Sequence, residues 1–116
     1  MAMNTIWHNP RCAKSRTALE LLNDRSIDVK VFYYLCEIIN YEDLMSIFKK
    51  LSIPTIELVR TNEKIFRTLG LSRCSKGEVL IQAMLQNPIL IERPLVISRE
   101  RAIIGRPPER VLELFN

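Results

Sequence analysis

The stretch "NTIWHNPRCAKSRTALELL", residues 4–22, holds the pattern that decides the fold. Its first four residues favour a strand, because isoleucine and tryptophan are typical of strands, and the Asn-Pro pair that follows marks a turn. From Ala13 onward the apolar residues recur at helical spacing, which predicts a helix over about residues 13–25. The stretch therefore predicts a strand, a turn and a helix, with Cys12 where the helix begins.

The next residues predict a second strand and then a helical region. "VKVFYYL", residues 29–35, is rich in β-branched and aromatic residues and is too short for a typical helix. Strand, helix and strand in this order favour a parallel pair of strands. Residues 41–88 are predicted to be helical, and Ser75 with Glu78 three positions later resembles a capping box for a helix over about residues 76–86.

The remaining residues complete the predicted fold. Two short β-like runs, residues 95–97 and 101–104, predict a hairpin, and "GRPPERVLELF" predicts a final helix. This order of elements is that of an α/β protein with a thioredoxin-like fold, in which a mixed four-stranded sheet carries an inserted helical region, about residues 41–88. At 116 residues the chain is expected to form a single domain over residues 1–116.

Composition and charge exclude several classes of function. No apolar run approaches the roughly 18 residues needed to cross a bilayer, and the pattern of a signal peptide is absent, so we expect a cytoplasmic protein without a membrane partner. The net charge of +4 is spread along the chain, which argues against a nucleic-acid partner. Three cysteines without a repeated CxxC spacing predict free thiols rather than disulfides or a metal site.

Cys12 has the setting of a reactive thiolate. Unpaired N–H groups at a helix N-terminus and nearby cations lower the pKa of a cysteine, and both are expected here. The same N–H groups bind tetrahedral oxyanions, and Lys14, Ser15 and Arg16 could add side-chain donors. The alternative is that Cys12 is a small buried apolar residue, against which its basic neighbours argue.

His8 and the other two cysteines have less certain roles. His8 is four residues before Cys12, across the Asn-Pro turn, and it either helps to set the ionisation of the thiol or simply packs near the surface. Cys36 follows the second strand and Cys74 lies in "LSRCSKGE", so each is interpreted as a bystander rather than a resolving thiol.

Three arginines are candidates for binding an oxyanion. Arg60 lies in "ELVRTNEK", Arg93 precedes Pro94, and Arg106 begins "RPPERV". The guanidinium group is always charged and binds tetrahedral oxyanions through two donors, so an enzyme acting on oxyanions needs several of them together. The alternative for each arginine is a solvated surface position, and spacing alone does not decide between the two.

The motifs "HNPRCAKSR", "ELVRTNE", "NPILIERPLVI" and "RAIIGRPPERVLELF" resemble the glutaredoxin-dependent arsenate reductase family (ArsC type), and especially its shorter YfgD-like members. The resemblance runs from residue 5 to residue 116 with the motifs in the family's order. It implies a thioredoxin-like fold with an inserted helical region. It also implies that the protein binds no cofactor and uses glutathione and glutaredoxin as external reductants.

The resemblance implies a role for each candidate residue. Cys12 would be the nucleophile that attacks arsenate, and the arginines at positions 60, 93 and 106 would hold the oxygen atoms of the arsenate. His8 and Ser15 would tune or bind the cysteine loop, with Arg16 in support, and the bond before Pro94 would be cis.

Three other functions stay open at this point. The same thiolate could reduce a different oxyanion or a glutathionylated protein. The chain could instead be a non-enzymatic binding module like the related transcription regulators, although "CAKS" lacks the second cysteine of their CxxC switch. A low-molecular-weight tyrosine phosphatase is the least compatible, because only three residues separate Cys12 from Arg16 where such loops have five.

Overall fold

The computed structural model describes residues 4–115, in two compact units. Of the described residues, the first unit comprises 4–38 and 93–115, and the second comprises 39–92. Residues 1–3 and 116, which the domain prediction includes, lie outside the described residues. Within residues 4–115, no helix is both long and apolar enough to cross a membrane.

The first unit contains a mixed four-stranded sheet with the strand order β2-β1-β3-β4. The strands are β1 (Asn4–Trp7), β2 (Val29–Phe32), β3 (Leu95–Ile97) and β4 (Ala102–Ile104). β1 pairs in parallel with β2 and antiparallel with β3, and β3 and β4 form an antiparallel hairpin. Helix α1 (Ala13–Asp24) joins β1 to β2, and a 3₁₀ helix (Pro108–Phe115) follows β4. The predicted thioredoxin-like sheet is therefore confirmed, and the final helix is of the 3₁₀ type.

The core of the first unit lies between one face of the sheet and its two helices. Ile6 and Val96 are register partners on neighbouring strands, and both are fully buried. Against them pack apolar side chains of α1 and of the 3₁₀ helix: Ala18, Leu22, Val111 and Leu114. Burying the valine, leucine and isoleucine side chains of this core contributes about 1.5–3 kcal/mol each. The apolar residues whose spacing predicted α1 thus include those that pack the helix against the sheet.

The second strand is shorter than the predicted 29–35. It ends at Phe32, because the Tyr34 N–H donates to the Phe32 carbonyl oxygen at 3.1 Å and turns the chain. This turn buries Tyr34, whose ring stacks on that of Trp7 with the centroids 6.0 Å apart. The aromatic residues that suggested a longer strand therefore anchor a turn instead.

The second unit is helical, as predicted. Its α-helices are α2 (Tyr41–Leu51), α3 (Lys64–Thr68) and α4 (Gly77–Gln86), with short 3₁₀ helices at Thr55–Leu58 and Pro88–Leu90. Helix α2 begins at a cap in which the Asn40 side chain accepts the Asp43 N–H at 2.8 Å. The residues buried in this unit include Leu44, Ile47, Leu58, Phe66, Leu80, Ile81, Met84, Leu90 and Ile91.

The predicted capping box at Ser75 and Glu78 is wrong. The N-cap residue of helix α4 is Lys76, and its side chain makes no capping hydrogen bond. The Ser75 hydroxyl accepts the Ser72 N–H at 2.9 Å, and Glu78 accepts hydrogen bonds from Tyr41 and Gln82. Ser75 stabilises the preceding turn because a nearer backbone donor competes for its hydroxyl.

Gly105 occupies a place in the first unit where a side chain does not fit. It follows β4, and its N–H donates to the Pro94 carbonyl oxygen at 2.8 Å. A Cβ at this position would lie 2.8 Å from Pro94 Cγ and 2.7 Å from Val111 Cγ1. Both neighbours are stiff, so glycine is required for the close approach of this segment to Pro94.

We expect Gly105→Ala to lower the free energy of unfolding by about 1–3 kcal/mol, because the added methyl group overpacks the space between Pro94 and Val111. Urea denaturation followed by circular dichroism measures the change. Gly77→Ala is the matched control, since its methyl group would approach only the rotatable Thr55 hydroxyl, at 3.2 Å. The same loss in both variants would contradict the steric explanation.

Candidate active site

Cys12 lies at the start of α1, directly beyond the end of β1. It is the N-cap residue, with an extended backbone (φ −95°, ψ 121°), and its carbonyl oxygen accepts the Arg16 N–H at 3.0 Å. The Cys12 N–H donates to the Asn9 carbonyl oxygen at 2.9 Å, which closes the turn between strand and helix. The side chain is half-buried. The predicted position of Cys12 is confirmed.

The surroundings of Cys12 favour the thiolate. Burial alone would raise the pKa of Cys12, but the N–H of Ser15, the Arg93 guanidinium and the N–H of Lys14 together lower it below the ordinary value. The two N–H groups belong to the first turn of α1, where backbone donors have no partner within the helix. Arg93 comes from the far end of the chain, just before β3.

A buried hydroxyl connects the two sides of the cysteine loop. Ser15 is fully buried, and its Oγ accepts the Asn9 N–H at 3.1 Å. The same Oγ lies 2.6 Å from Nδ1 of His8, which is also buried. The backbone N–H of His8 donates to the Phe32 carbonyl oxygen at 2.9 Å. This network of hydrogen bonds therefore reaches from β2 to the first turn of α1.

His8 is buried in the cysteine loop, where its side chain contacts Ser15. Burial, and then the nearby charge of Arg16, lower the pKa of His8, so its imidazole is neutral at neutral pH. Its Nδ1 is engaged with Ser15. The groups that lower the pKa of Cys12 are N–H groups and a guanidinium.

The cations next to Cys12 differ in what they contact. Arg16 Nη1 donates to the Pro10 carbonyl oxygen at 2.8 Å and so braces the turn, although the sequence suggested it as a donor to an anion. The side chains of Arg11 and Lys14 are exposed. The Arg11 N–H donates to Asn9 Oδ1 at 3.0 Å, which holds the turn from within.

Two of the three candidate arginines lie in the first unit. Arg93 is beside Cys12, and Arg106 Nη1 donates to the Arg93 carbonyl oxygen at 3.4 Å. The Arg93–Pro94 bond is cis, as the resemblance implied, and the Arg106–Pro107 bond is also cis, which nothing in the sequence indicated. The structure thus places Arg93 beside Cys12 and the Arg106 side chain against the backbone of Arg93.

Arg60 lies in the second unit, between two carboxylates. The Arg60 N–H donates to the Leu90 carbonyl oxygen, and the Glu92 N–H donates to the Leu58 carbonyl oxygen, both at 2.7 Å. These hydrogen bonds align residues 58–60 antiparallel to residues 90–92. Arg60 Nε then pairs with Glu63 at 3.1 Å, and its Nη1 pairs with Glu92 at 3.5 Å. The guanidinium is held in one orientation by these two ion pairs.

Three residues of these hydrogen-bond and ion-pair networks were not predicted from the sequence. Asn9 was interpreted only as a turn residue, yet its side chain is buried and accepts the Arg11 N–H. Glu63, at the helical spacing of three from Arg60, could have been found from the sequence. Glu92 could not, because 32 residues separate it from Arg60 and no local pattern connects them.

The other cysteines show no comparable setting. Cys36 and Cys74 are exposed free thiols. Within residues 4–115 there is no group of three or more His, Cys, Asp or Glu side chains that could hold a metal ion. Chemically, the site offers a thiolate nucleophile beside fixed N–H donors and guanidinium groups, which suits covalent attack on an anionic centre.

The chain is similar in sequence to known proteins. Residues 7–114 match the sequence profile of the ArsC family. A protein of Escherichia coli strain K12 named "Uncharacterized protein YfgD" is 43% identical over 113 residues, which cover 96% of this chain and 95% of that protein. A Haemophilus influenzae protein named "Arsenate reductase" is 40% identical over 112 residues, covering 95% of this chain and 97% of its own length.

A solved structure is also similar to this chain over nearly its whole length. The structure titled "Arsenate reductase from Vibrio cholerae" superposes with a TM-score of 0.91 at 36% identity, and it covers 96% of both chains. The family profile spans most of the sequence, and the relatives match along nearly their whole length. The chain therefore belongs to the ArsC family.

Proposed function

We propose that the protein is an arsenate reductase, an oxidoreductase that uses Cys12 as its nucleophile and glutathione with glutaredoxin as external reductants. The observation that carries the proposal is the Cys12 thiol, whose pKa is lowered by the first turn of α1 and by Arg93 against the opposing effect of burial. Relatives and a solved structure named arsenate reductase support the choice of substrate.

Arginine side chains supply the binding of the oxyanion in this proposal. Arg93 and Arg106 would contact the oxygen atoms of arsenate next to Cys12, and Arg60 would contribute a third guanidinium. Arg60 is already oriented by Glu63 and Glu92, so little side-chain entropy is lost when it binds an anion. His8, Ser15, Arg16 and Pro94 support the loop that carries the nucleophile.

The reaction begins with two substitutions at arsenic. The Cys12 sulfur forms a bond to arsenic, and an arsenate hydroxyl group leaves as water after taking up a proton. The thiol of glutathione then forms a second sulfur–arsenic bond, and another oxygen leaves as water. Arsenic remains in its +5 state through both steps.

Reduction occurs when glutaredoxin acts. Its thiolate attacks the glutathione sulfur, and the electron pair of the sulfur–arsenic bond stays on arsenic, which falls to the +3 state. Glutathione and glutaredoxin are left as a mixed disulfide, which a further glutathione reduces. Water then displaces Cys12 from arsenic, so that arsenite leaves and the cysteine regains its starting state.

A second candidate keeps the thiolate and changes the substrate. The relative named "Uncharacterized protein YfgD" is 43% identical and its name assigns no activity, so a different oxyanion or a glutathionylated protein is a reasonable alternative. Protection of Cys12 from alkylation by another anion, where arsenate protects only at far higher concentration, would favour it.

Five further expectations remain predictions within this proposal. The two units are expected to form one domain over residues 1–116. The protein is expected to be cytoplasmic, to bind neither nucleic acid nor membrane, and to carry no tightly bound cofactor.

Cys12→Ser is expected to reduce arsenite formation to below about a thousandth of the rate of the unmodified protein, because serine lacks the nucleophilic thiolate. The assay supplies arsenate, glutathione and glutaredoxin and measures arsenite. Cys36→Ser and Cys74→Ser are the matched controls, since both thiols are exposed and lie outside the site. Equal turnover by Cys12→Ser and the controls would contradict the proposed role.

The rate of Cys12 alkylation should depend on pH as expected for a cysteine with a lowered pKa. The thiolate fraction increases as the pH rises through this pKa, so the rate should reach its plateau at a lower pH than for an ordinary cysteine. Iodoacetamide and mass spectrometry measure it in a Cys36→Ser, Cys74→Ser background. Arg93→Gln should move the profile to higher pH by removing a cation.

Arg25→Gln is the control for charge alone, because Arg25 caps the opposite end of α1 and is exposed. It should leave the profile where it is. If Arg93→Gln also left the profile unchanged, the guanidinium would have no part in stabilising the thiolate.

A further inference from the structure

The loop after β2 exposes apolar side chains beside the cysteine loop. Tyr33 and Leu35 are 45% and 40% exposed, and Ile38 is 95% exposed. The ring of Tyr33 meets that of His8 edge-on, with the centroids 6.0 Å apart. Grouped apolar side chains on a surface are typical of interaction sites. These three residues, here called the Tyr33 surface, adjoin the segment that carries Cys12.

The conformation of this loop is fixed from within. The Cys36 N–H donates to the Tyr33 carbonyl oxygen at 2.9 Å, and the Tyr33 N–H donates to Glu37 Oε2 at 3.3 Å. Tyr34 is buried beneath the loop, so its neighbours on either side are directed outward. A loop that is ordered before contact loses little entropy on binding.

The access to Cys12 and the charge around it indicate the occupant. Cys12 is half-buried, and the ring of Tyr33 meets His8, which contacts Ser15 in the first turn of α1 that begins at Cys12. A protein whose thiol reaches an adduct on Cys12 would therefore come close to the Tyr33 surface. The exposed side chains of Arg11 and Lys14 flank the same cysteine. An apolar area next to these cations fits a partner with apolar side chains and carboxylates around its own thiol.

We propose that the Tyr33 surface is the docking site for the thiol protein that resolves the Cys12 adduct. The inference rests on the proposed function for the identity of the partner, and glutaredoxin is the probe that tests it. The apolar side chains of the surface contribute affinity, and Arg11 speeds the approach of an acidic partner. A second copy of this chain is the competing occupant.

The test uses a reaction that requires no arsenate. In a Cys36→Ser, Cys74→Ser background, oxidised glutathione converts Cys12 to its glutathione mixed disulfide and releases one glutathione. The glutaredoxin thiolate then attacks the glutathione sulfur, and the Cys12 thiolate leaves. Mass spectrometry gives kcat/KM for glutaredoxin, and the same reduction by dithiothreitol reports the intrinsic reactivity of the disulfide.

Leu35→Ser with Ile38→Ser should lower kcat/KM for glutaredoxin by about tenfold and leave the dithiothreitol rate unchanged. Leu69→Ser with Val79→Ser is the matched control, because these side chains of the second unit are 45% and 50% exposed, and it should change neither rate. Arg11→Gln should slow glutaredoxin about threefold. Arg25→Gln, at the other end of α1, should have no effect.

Equal glutaredoxin rates for the Leu35→Ser, Ile38→Ser variant and its control would overturn the proposal. So would a parallel loss of the dithiothreitol rate, which would show a change in Cys12 itself. A dimer in sedimentation that this variant dissociates, with an unchanged glutaredoxin rate, would give the surface to a second copy. If the Leu35→Ser, Ile38→Ser variant slowed glutaredoxin as expected but the protein did not reduce arsenate, the docking proposal would stand and only the proposed substrate would be wrong.

Discussion

The buried hydroxyl of Ser15 is the contact on which the cysteine loop depends. It belongs to the first turn of α1, yet it accepts a hydrogen bond from Asn9 and meets His8, both of which follow β1. The end of the strand and the start of the helix are thereby held at a fixed separation. Cys12 lies between these two points, so its backbone is held in place by a residue that need not touch a substrate.

Hydrogen-bond donors and the charge of Arg93 lower the pKa of the Cys12 thiol. Burial opposes ionisation, and the first turn of α1 together with Arg93 outweighs it. The same backbone donors that stabilise the thiolate would face an anion placed next to it. In the proposed reaction, attack by the sulfur on an oxyanion would therefore move negative charge within a site already arranged to hold it, with little reorganisation.

Local patterns in the sequence predicted the helices and strands, but they did not predict the contacts between distant residues. The strand, turn and helix around Cys12 were predicted because each depends on neighbouring residues, and the sheet followed from their order. The capping box at Ser75 failed because a closer backbone donor competes for the hydroxyl. The pairing of Arg60 with Glu92 depends on how two segments align, which no periodicity reveals. Site residues drawn from far along the chain are accordingly the hardest to predict.

The buried position of His8 beside Ser15 makes the cysteine loop sensitive to acid. In the neutral state one proton, on the Ser15 hydroxyl or on Nδ1 of His8, forms the 2.6 Å contact between the two side chains, and Oγ also accepts the Asn9 N–H. Protonation of His8 would create a positive charge where burial has removed most of the water that would solvate it. Because burial lowers the pKa of His8, the unfolded chain takes up this proton first, and the folded state loses stability as the pH falls through the ordinary histidine range. The loop that prepares the nucleophile is thus also where acidification would begin to loosen the fold.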